Sequence, residues 1–109
     1  MGATPSKKDV MGRALVTEDM IELRSLYVGY LRNEIDNFKS LLACKDLDQI
    51  RELGHRLKGS GGTYGFPQIS ELGETIQYLE DNVDWKDVEG LLLQLVELYD
   101  RIQVFQDDN

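Results

Sequence analysis

The spacing of apolar residues constrains the fold more than any other feature of this 109-residue chain. Towards the carboxyl terminus, apolar side chains recur every three or four residues, which is the period of an α-helix with one buried face. No segment alternates between apolar and polar residues as a half-buried strand does. The pattern therefore predicts an all-α protein. The stripe near the carboxyl terminus consists of Trp85, Val88, Leu91, Leu92, Leu95, Leu98, Tyr99, Ile102 and Phe105.

The amino-terminal part of the chain predicts a tail followed by a long helix. Residues 1–16 show no sustained apolar period and are predicted to be a flexible tail. Thr17 is a favourable N-cap, so we expect the first helix to begin there. Gly29 permits a bend, and the first turns could instead form a short extra helix. The expected buried stripe is Leu23, Tyr27, Tyr30, Leu31, Phe38, Leu41 and Leu42, with Arg24, Arg32, Glu34, Asp36 and Lys39 facing outward.

Two further helices are expected between the first helix and the carboxyl-terminal one. Asp46 is expected to cap a second helix that runs to about Gly65. Pro67 suits the first position of a third helix, which would end near Asn82. Asp84 is expected to cap the fourth helix. Four amphipathic helices with short connections predict an antiparallel up-down four-helix bundle over residues 17–109.

Composition excludes several classes of function. The chain is 41% hydrophobic and 29% charged, with a net charge of −8, so a basic nucleic-acid-binding face is not expected. The single Cys44 cannot form an internal disulfide, and we expect it to be a buried, inert thiol. No apolar run has the length of a signal peptide core or a membrane span. We therefore expect a cytoplasmic monomer that binds neither nucleic acid nor membranes.

The only histidine, His55, is expected to point into solvent from the second helix. On a helical wheel it is opposite the apolar stripe, which consists of Ile50, Leu53, Leu57, Gly61 and Tyr64. Arg51, Lys58, Gly59 and Gly62 share its half of the helix. An exposed imidazole beside cations and bare backbone is open to a bulky partner and to an anion. That combination indicates phosphoryl chemistry.

Four glycines, Gly54, Gly59, Gly61 and Gly62, interrupt this helix, and each costs about 0.5–1 kcal/mol relative to alanine. Gly61 lies on the buried stripe and is expected to admit a neighbouring helix, as is Gly73 on the third helix. Gly59 and Gly62 are expected to provide access to the histidine. The alternative is that the helix ends near Ser60 and the glycines form a loop. Neither a phosphate-binding loop nor a dinucleotide fingerprint fits, because no strand precedes the glycines.

The run His55-Arg56-Leu57-Lys58-Gly59-Ser60, with Gly65, Ile69, Leu72 and Gly73 beyond it, resembles histidine-containing phosphotransfer (HPt) domains. The segment from Thr63 to Phe66 is also similar to the phosphotransfer domain of chemotaxis histidine kinases. The resemblance implies a phosphorelay carrier that accepts a phosphoryl group on His55. It would exchange that group with aspartates of response-regulator receiver domains or of a hybrid sensor histidine kinase. No cofactor, metal site or ATP-dependent kinase activity is expected, since Mg²⁺ would be held by the partner receiver.

The resemblance also implies roles for neighbours of His55. Lys58 is expected to interact with phosphate oxygens, with help from Arg51. Gln77, on the adjacent helix, is expected to hydrogen-bond the imidazole, although it could equally be an ordinary exposed helix residue. We interpret Lys58 and Gln77 as the supporting residues of a site centred on His55.

The surface around His55 is predicted to dock the receiver. Three basic residues and one acidic residue lie in the range 51–58, a local charge of about +2 that suits an acidic phosphorylation pocket. Arg56 and Lys58 would flank the histidine, and Gly59 and Gly62 would keep the surface low. The alternative function is a non-catalytic helical adaptor, which would bind a receiver or another protein through this face without carrying phosphate.

Overall fold

The structure is a computed structural model that describes the backbone of residues 12–107 and the side chains of residues 22–103. It contains four helices, α1 (Gly12–Ala43), α2 (Leu47–Thr63), α3 (Pro67–Gln77) and α4 (Trp85–Asp107). No strand occurs within residues 12–107. Helices α1 and α3 each pack against both α2 and α4, so the four helices close into a bundle. The predicted all-α four-helix architecture is confirmed.

Short polar caps fix where two of the helices begin. A carboxylate oxygen of Asp46 accepts a hydrogen bond from the backbone N–H of Gln49 at 3.2 Å, at the start of α2. A carboxylate oxygen of Asp84 accepts one from the N–H of Lys86 at 2.9 Å, at the start of α4. These bonds satisfy donors that the first turn of a helix leaves without partners. Both predicted caps are confirmed.

The turn between α2 and α3 follows the predicted residues. Helix α2 continues to Thr63, so the alternative that it ends near Ser60 is wrong. Gly65 then adopts φ +83°, a backbone conformation that residues other than glycine rarely adopt. Pro67 is the first residue of α3, where its missing N–H has no helical partner to lose. The chain therefore reverses between α2 and α3 within three residues.

The core lies between the apolar stripes of the four helices. Periodicity predicted most of its members, because a helix buries residues that recur on one face. Partly buried residues such as Trp85 and Leu98 pack around its edge. The buried hydrophobic residues are Tyr27, Leu31, Ile35, Phe38, Ile50, Leu53, Leu57, Ile69, Leu72, Ile76, Val88, Leu92 and Leu95.

Helices α2 and α3 approach until their backbones touch. A Cβ atom added at Gly54 would lie 2.5 Å from the backbone nitrogen of Gln77, and one added at Gly61 would lie 2.6 Å from that of Ser70. A Cβ atom at Gly73 would overlap the backbone nitrogen of Lys58. The predicted close contacts at Gly61 and Gly73 are confirmed. Gly54 has the same role, which its sequence position alone did not reveal.

Helix α1 differs from the prediction at its start and on its faces. It begins at Gly12, so residues 12–16 are helical and Thr17 lies inside the helix; residues 1–11 of the predicted tail lie outside the described part of the chain. Leu23 is 40% exposed rather than buried. The side chain of Tyr27 already stacks on Tyr64, which follows the last residue of α2, so Leu23 lies beyond the end of that helix. Glu34 is buried although it was expected to face outward.

Two predictions about the connections are also corrected. Cys44 is exposed, because it follows the last residue of α1 and belongs to the turn at residues 44–46. Helix α3 ends at Gln77 instead of near Asn82. The carbonyl oxygen of Leu79, just after α3, accepts a hydrogen bond from Arg51 Nε on α2. The Arg51 side chain thus supplies the donor that a backbone N–H would supply if α3 continued.

Candidate functional site

His55 projects from the solvent-exposed side of α2. The opposite side of the helix is anchored in the core by Ile50, Leu53 and Leu57, all of which are fully buried. A Cβ atom added at Gly59, one turn after His55, would meet nothing within 4 Å. Gly62 is similarly open, with only the Ser70 hydroxyl oxygen 3.9 Å from such an atom. No side chain therefore protrudes from these two positions, and the surface beside the imidazole is accessible, as the sequence predicted.

Gln77, the last residue of α3, contacts the imidazole. Its side-chain Nε2 lies 3.0 Å from Nδ1 of His55. The contact depends on the close approach of the two helices, because a side chain at Gly54 would push the backbone of Gln77 away. The other amide atom, Oε1, is buried and has no hydrogen-bond partner among the described residues. One ring nitrogen of His55 is thus held by the last residue of α3.

Lys58 lies on the α3 side of His55 and is held by two groups from that helix and its end. Its Nζ atom is 3.7 Å from a carboxylate oxygen of Glu74 and 5.7 Å from the centre of the Tyr78 ring. The side chain is 39% exposed, so the contact with Glu74 is a weak surface ion pair. The contact with Glu74 therefore holds the ammonium group of Lys58 only weakly.

The guanidinium of Arg51 is bound to groups other than the imidazole. Its Nε donates to the carbonyl oxygen of Leu79 at 2.8 Å, and its Nη2 lies 2.6 Å from a carboxylate oxygen of Asp81. A third contact joins Nη1 to Asp48 at 3.2 Å. The guanidinium thus joins α2 to the segment that follows α3. The structure does not place it beside His55 as a phosphate ligand.

Arg56 is also engaged with a carboxylate. Its Nε and Nη2 atoms donate to the two carboxylate oxygens of Glu34 on α1, at 2.8 and 3.0 Å. Burial alone raises the pKa of Glu34, but the hydrogen bonds from Arg56 and from the Tyr30 hydroxyl outweigh it and lower the pKa below its usual value. The same pairing raises the pKa of Arg56. Arg56 therefore contributes a paired charge to the flank of His55.

A layer of tyrosines continues this contact between α1 and α2. The Tyr30 hydroxyl donates to Glu34 at 2.7 Å, and the Tyr27 hydroxyl lies 2.9 Å from the hydroxyl of Ser60. Burial is the main reason that the pKa of each tyrosine is raised to about 12. The polar members of this layer were not among the predicted site residues. The spacing of Tyr27, Tyr30 and Glu34 along one side of α1 is the one sequence signal that could have placed them on a shared surface.

Each of the three cations in the range 51–58 has a carboxylate within 4 Å. The local positive charge that the sequence shows is therefore offset by acidic residues from other parts of the fold, which the sequence could not reveal. Among the side chains of residues 22–103, no group of histidine, cysteine and carboxylate residues could hold a metal ion. Within residues 12–107, no helix is long and apolar enough to cross a membrane.

Comparison with known proteins identifies the architecture around His55. The profile of the Hpt domain family matches residues 22–105. The curated proteins include the aerobic respiration control sensor protein ArcB of Escherichia coli O157:H7, of Escherichia coli K12 and of Shigella flexneri, each 29% identical over 82 residues. The match covers 75% of this chain but only about a tenth of the length of these relatives. No solved structure gave a significant match. Because the family profile spans most of the chain, the protein belongs to the Hpt domain family.

Proposed function

We propose that His55 accepts a phosphoryl group and exchanges it with an aspartate of a response-regulator receiver domain. Membership of the Hpt family supports a phosphotransfer role in two-component signalling. The observation that carries the proposal is the 3.0 Å contact between Gln77 and Nδ1 of an exposed histidine. One ring nitrogen is oriented by the protein, and the other is free to react.

The nucleophile in this proposal is the Nε2 atom of His55. It needs a lone pair directed to solvent, so the ring proton must be on Nδ1. A half turn of the Gln77 amide exchanges its oxygen and nitrogen, after which Nδ1–H donates to Oε1. That orientation turns the amide oxygen towards the ring and moves the amide nitrogen to the buried position that the oxygen occupied, so it is the reactivity of Nε2, and not the count of hydrogen bonds, that favours it. Gln77 then selects the reactive tautomer.

The phosphoryl transfer step needs no general base. The lone pair of His55 Nε2 forms the N–P bond while the bond between phosphorus and the aspartyl oxygen breaks, and the aspartate leaves as a carboxylate. The ring becomes positively charged, with its Nδ1 proton still held by Gln77. No proton has to move during the step. The reverse reaction uses the same contacts.

Lys58 would stabilise the phosphoryl group after it arrives. In the unphosphorylated protein its ammonium group lies beside Glu74 at 3.7 Å. A phosphoryl group carries about −1.5 to −2 charge and three acceptor oxygens, so it attracts the ammonium more strongly than a single exposed carboxylate does. Lys58 is one turn from His55, which places it within reach. Its movement would accompany phosphorylation.

The receiver would dock on the open surface of α2 around His55, Gly59 and Gly62. The cations of this face are already paired, so we expect electrostatic steering to be modest and Lys58 to provide most of it. The contact would be small and transient, at or below about 1,200 Å², because a carrier must release its partner. We propose that the domain acts as a monomer in the cytoplasm, with Mg²⁺ supplied by the receiver.

A phosphotransfer assay tests the proposal. A receiver domain phosphorylated on its aspartate, with Mg²⁺ present, should transfer label to the chain as an acid-labile, alkali-stable adduct. The His55→Gln variant should remain unlabelled while the protein stays folded. Equal labelling of wild type and His55→Gln would show that another residue accepts the phosphate and would contradict the proposal.

A non-catalytic adaptor is the alternative, and the same experiment distinguishes it. An adaptor would bind the receiver equally well with His55→Gln and would never become labelled. The oriented imidazole favours the carrier, because an adaptor has no need for a hydrogen bond to Nδ1. The longer relatives named above are sensor proteins, so we propose that a sensor kinase stands upstream of this domain.

A further inference from the structure

We infer that Arg51 is a positioning residue that fixes Gln77 against His55. This inference deepens the proposed function, on which its kinetic consequence depends. No hydrogen bond joins Arg51 to the imidazole among the described residues, yet Arg51 holds the segment that directly follows Gln77, the partner of the imidazole. Its role is therefore indirect, and it is distinct from the phosphate contact that the sequence suggested.

The geometry places Arg51 at the end of α3. Gln77 is the last residue of that helix, and the carbonyl oxygen of Leu79, two residues later, accepts from Arg51 Nε at 2.8 Å. The Asp81 carboxylate, two residues further on, binds Arg51 Nη2 at 2.6 Å. One side chain of α2 thereby holds the chain that leaves α3 at two points.

This attachment matters because helix ends are the parts of a helix most prone to fray. The Arg51 side chain is 25% exposed, and its planar guanidinium donates in fixed directions, so it restrains the carbonyl of Leu79 in orientation as well as in position. His55 is one turn after Arg51 on the same helix. The two residues of α2 therefore contact the end of α3 on adjacent turns, one at Gln77 and the other just beyond it.

The ¹⁵N chemical shifts of the His55 imidazole test the inference, because they distinguish a protonated from an unprotonated ring nitrogen. The measurement is made on the whole chain at a pH where titration of the same spectra shows the ring to be neutral. We expect the Nδ1–H tautomer to dominate in the wild type and to decrease in Gln77→Ala. Arg51→Met should shift the ratio in the same direction. The double variant should match Gln77→Ala alone, because Arg51 acts only through Gln77.

Arg101→Met is the matched control. It removes an exposed arginine whose one ion pair among the described side chains is with Glu97 on α4, at 3.7 Å, and it should leave the tautomer ratio unchanged. Should Arg51→Met fail to fold, Arg51→Lys takes its place, since a compact ammonium cannot reproduce the planar set of donors. It should also shift the ratio towards that of Gln77→Ala.

Three results would overturn the inference: a wild-type ratio in the folded Arg51 variant, no difference between wild type and Gln77→Ala, or additive shifts in the double variant. None of these depends on a receiver, so the outcome is separate from that of the phosphotransfer assay. If His55 does carry phosphate, Arg51→Met should slow transfer by about two- to tenfold, as much as Gln77→Ala does, which corresponds to the loss of one hydrogen bond.

Discussion

Glu34 of α1 and Arg56 of α2 form a two-point ion pair in which the carboxylate is almost fully enclosed and the guanidinium remains half accessible. The Glu34 side chain is 7% exposed and that of Arg56 is 42% exposed. The asymmetry means that loss of either partner has different consequences. Removal of Arg56 leaves a buried carboxylate without its counterion, whereas removal of Glu34 leaves a cation that water can reach.

We therefore expect Arg56→Met to destabilise the domain more than Glu34→Gln. Arg56→Met should lower the free energy of unfolding by about 1–3 kcal/mol, because an unpaired buried charged group bears its full desolvation cost. Glu34→Gln keeps the shape and a hydrogen-bond acceptor, so it should cost less. Urea denaturation at pH 7 measures both. The reverse order of stability would contradict the assigned burial of the pair.

The stability difference between wild type and Arg56→Met should depend on pH. The pKa of Glu34 is lower in the folded protein than in the unfolded chain. Its contribution is therefore complete above the unfolded pKa of about 4.3 and is lost as the pH falls through the folded pKa. In Arg56→Met the carboxyl no longer gains from ionisation. Denaturation curves from pH 7 down to about 3 should show the gap narrowing, and a constant gap would exclude Glu34 as its source.

Alanine at two glycines of α2 should have opposite effects. Gly59→Ala should raise the free energy of unfolding by about 0.5–1 kcal/mol, because open space surrounds the new methyl group and alanine favours helix. Gly54→Ala should lower it by about 1–3 kcal/mol, since its methyl group would meet the backbone of α3. Thermal unfolding of the two variants under one condition provides the comparison. Stabilisation by both would mean that the helices are not in close contact at Gly54.

A bulky side chain at Gly59 should separate docking from chemistry. Gly59→Leu fits the helix but raises the surface one turn from His55, so transfer from a phosphorylated receiver should slow by at least about tenfold. Labelling by phosphoramidate, a small donor, should stay near the wild-type rate. Gly90→Leu is the control, because it changes an equally open glycine on α4. Similar slowing of both donors would place the obstruction at the imidazole itself rather than at the docking surface.

The helices and most of the core could be predicted from periodicity, because the spacing of apolar residues in each segment shows which face of the helix is buried. Glu34 is buried against expectation, although its spacing fits the buried face. It lies three residues after Leu31 and four before Phe38, both buried, so its spacing placed it on the inner face. Only the charge of Glu34 suggested that its side chain faces solvent. Its partner Arg56 is 22 residues away in the sequence, and no local pattern connects the two.

The site was predictable to the extent that it lies on one helix. The exposure of His55 and the openness of Gly59 follow from the turn of α2 alone. Contacts between different helices could not be predicted from the spacing within one helix. These contacts determine which groups the cations bind. The sequence placed Arg51 and Arg56 beside an incoming anion, whereas each is occupied by acidic or carbonyl oxygens from another part of the chain.

The contact between main chains at Gly54 and Gly73 has a consequence for how this domain could change over evolutionary time. The spacing between the helix that bears His55 and the one that bears Gln77 is set by backbone atoms rather than by the sizes of interlocking side chains. Substitutions elsewhere in the core or on the surface can then alter stability or partner choice without altering that spacing. Lineages are free to diversify the exterior of such a carrier while the arrangement around the imidazole stays the same.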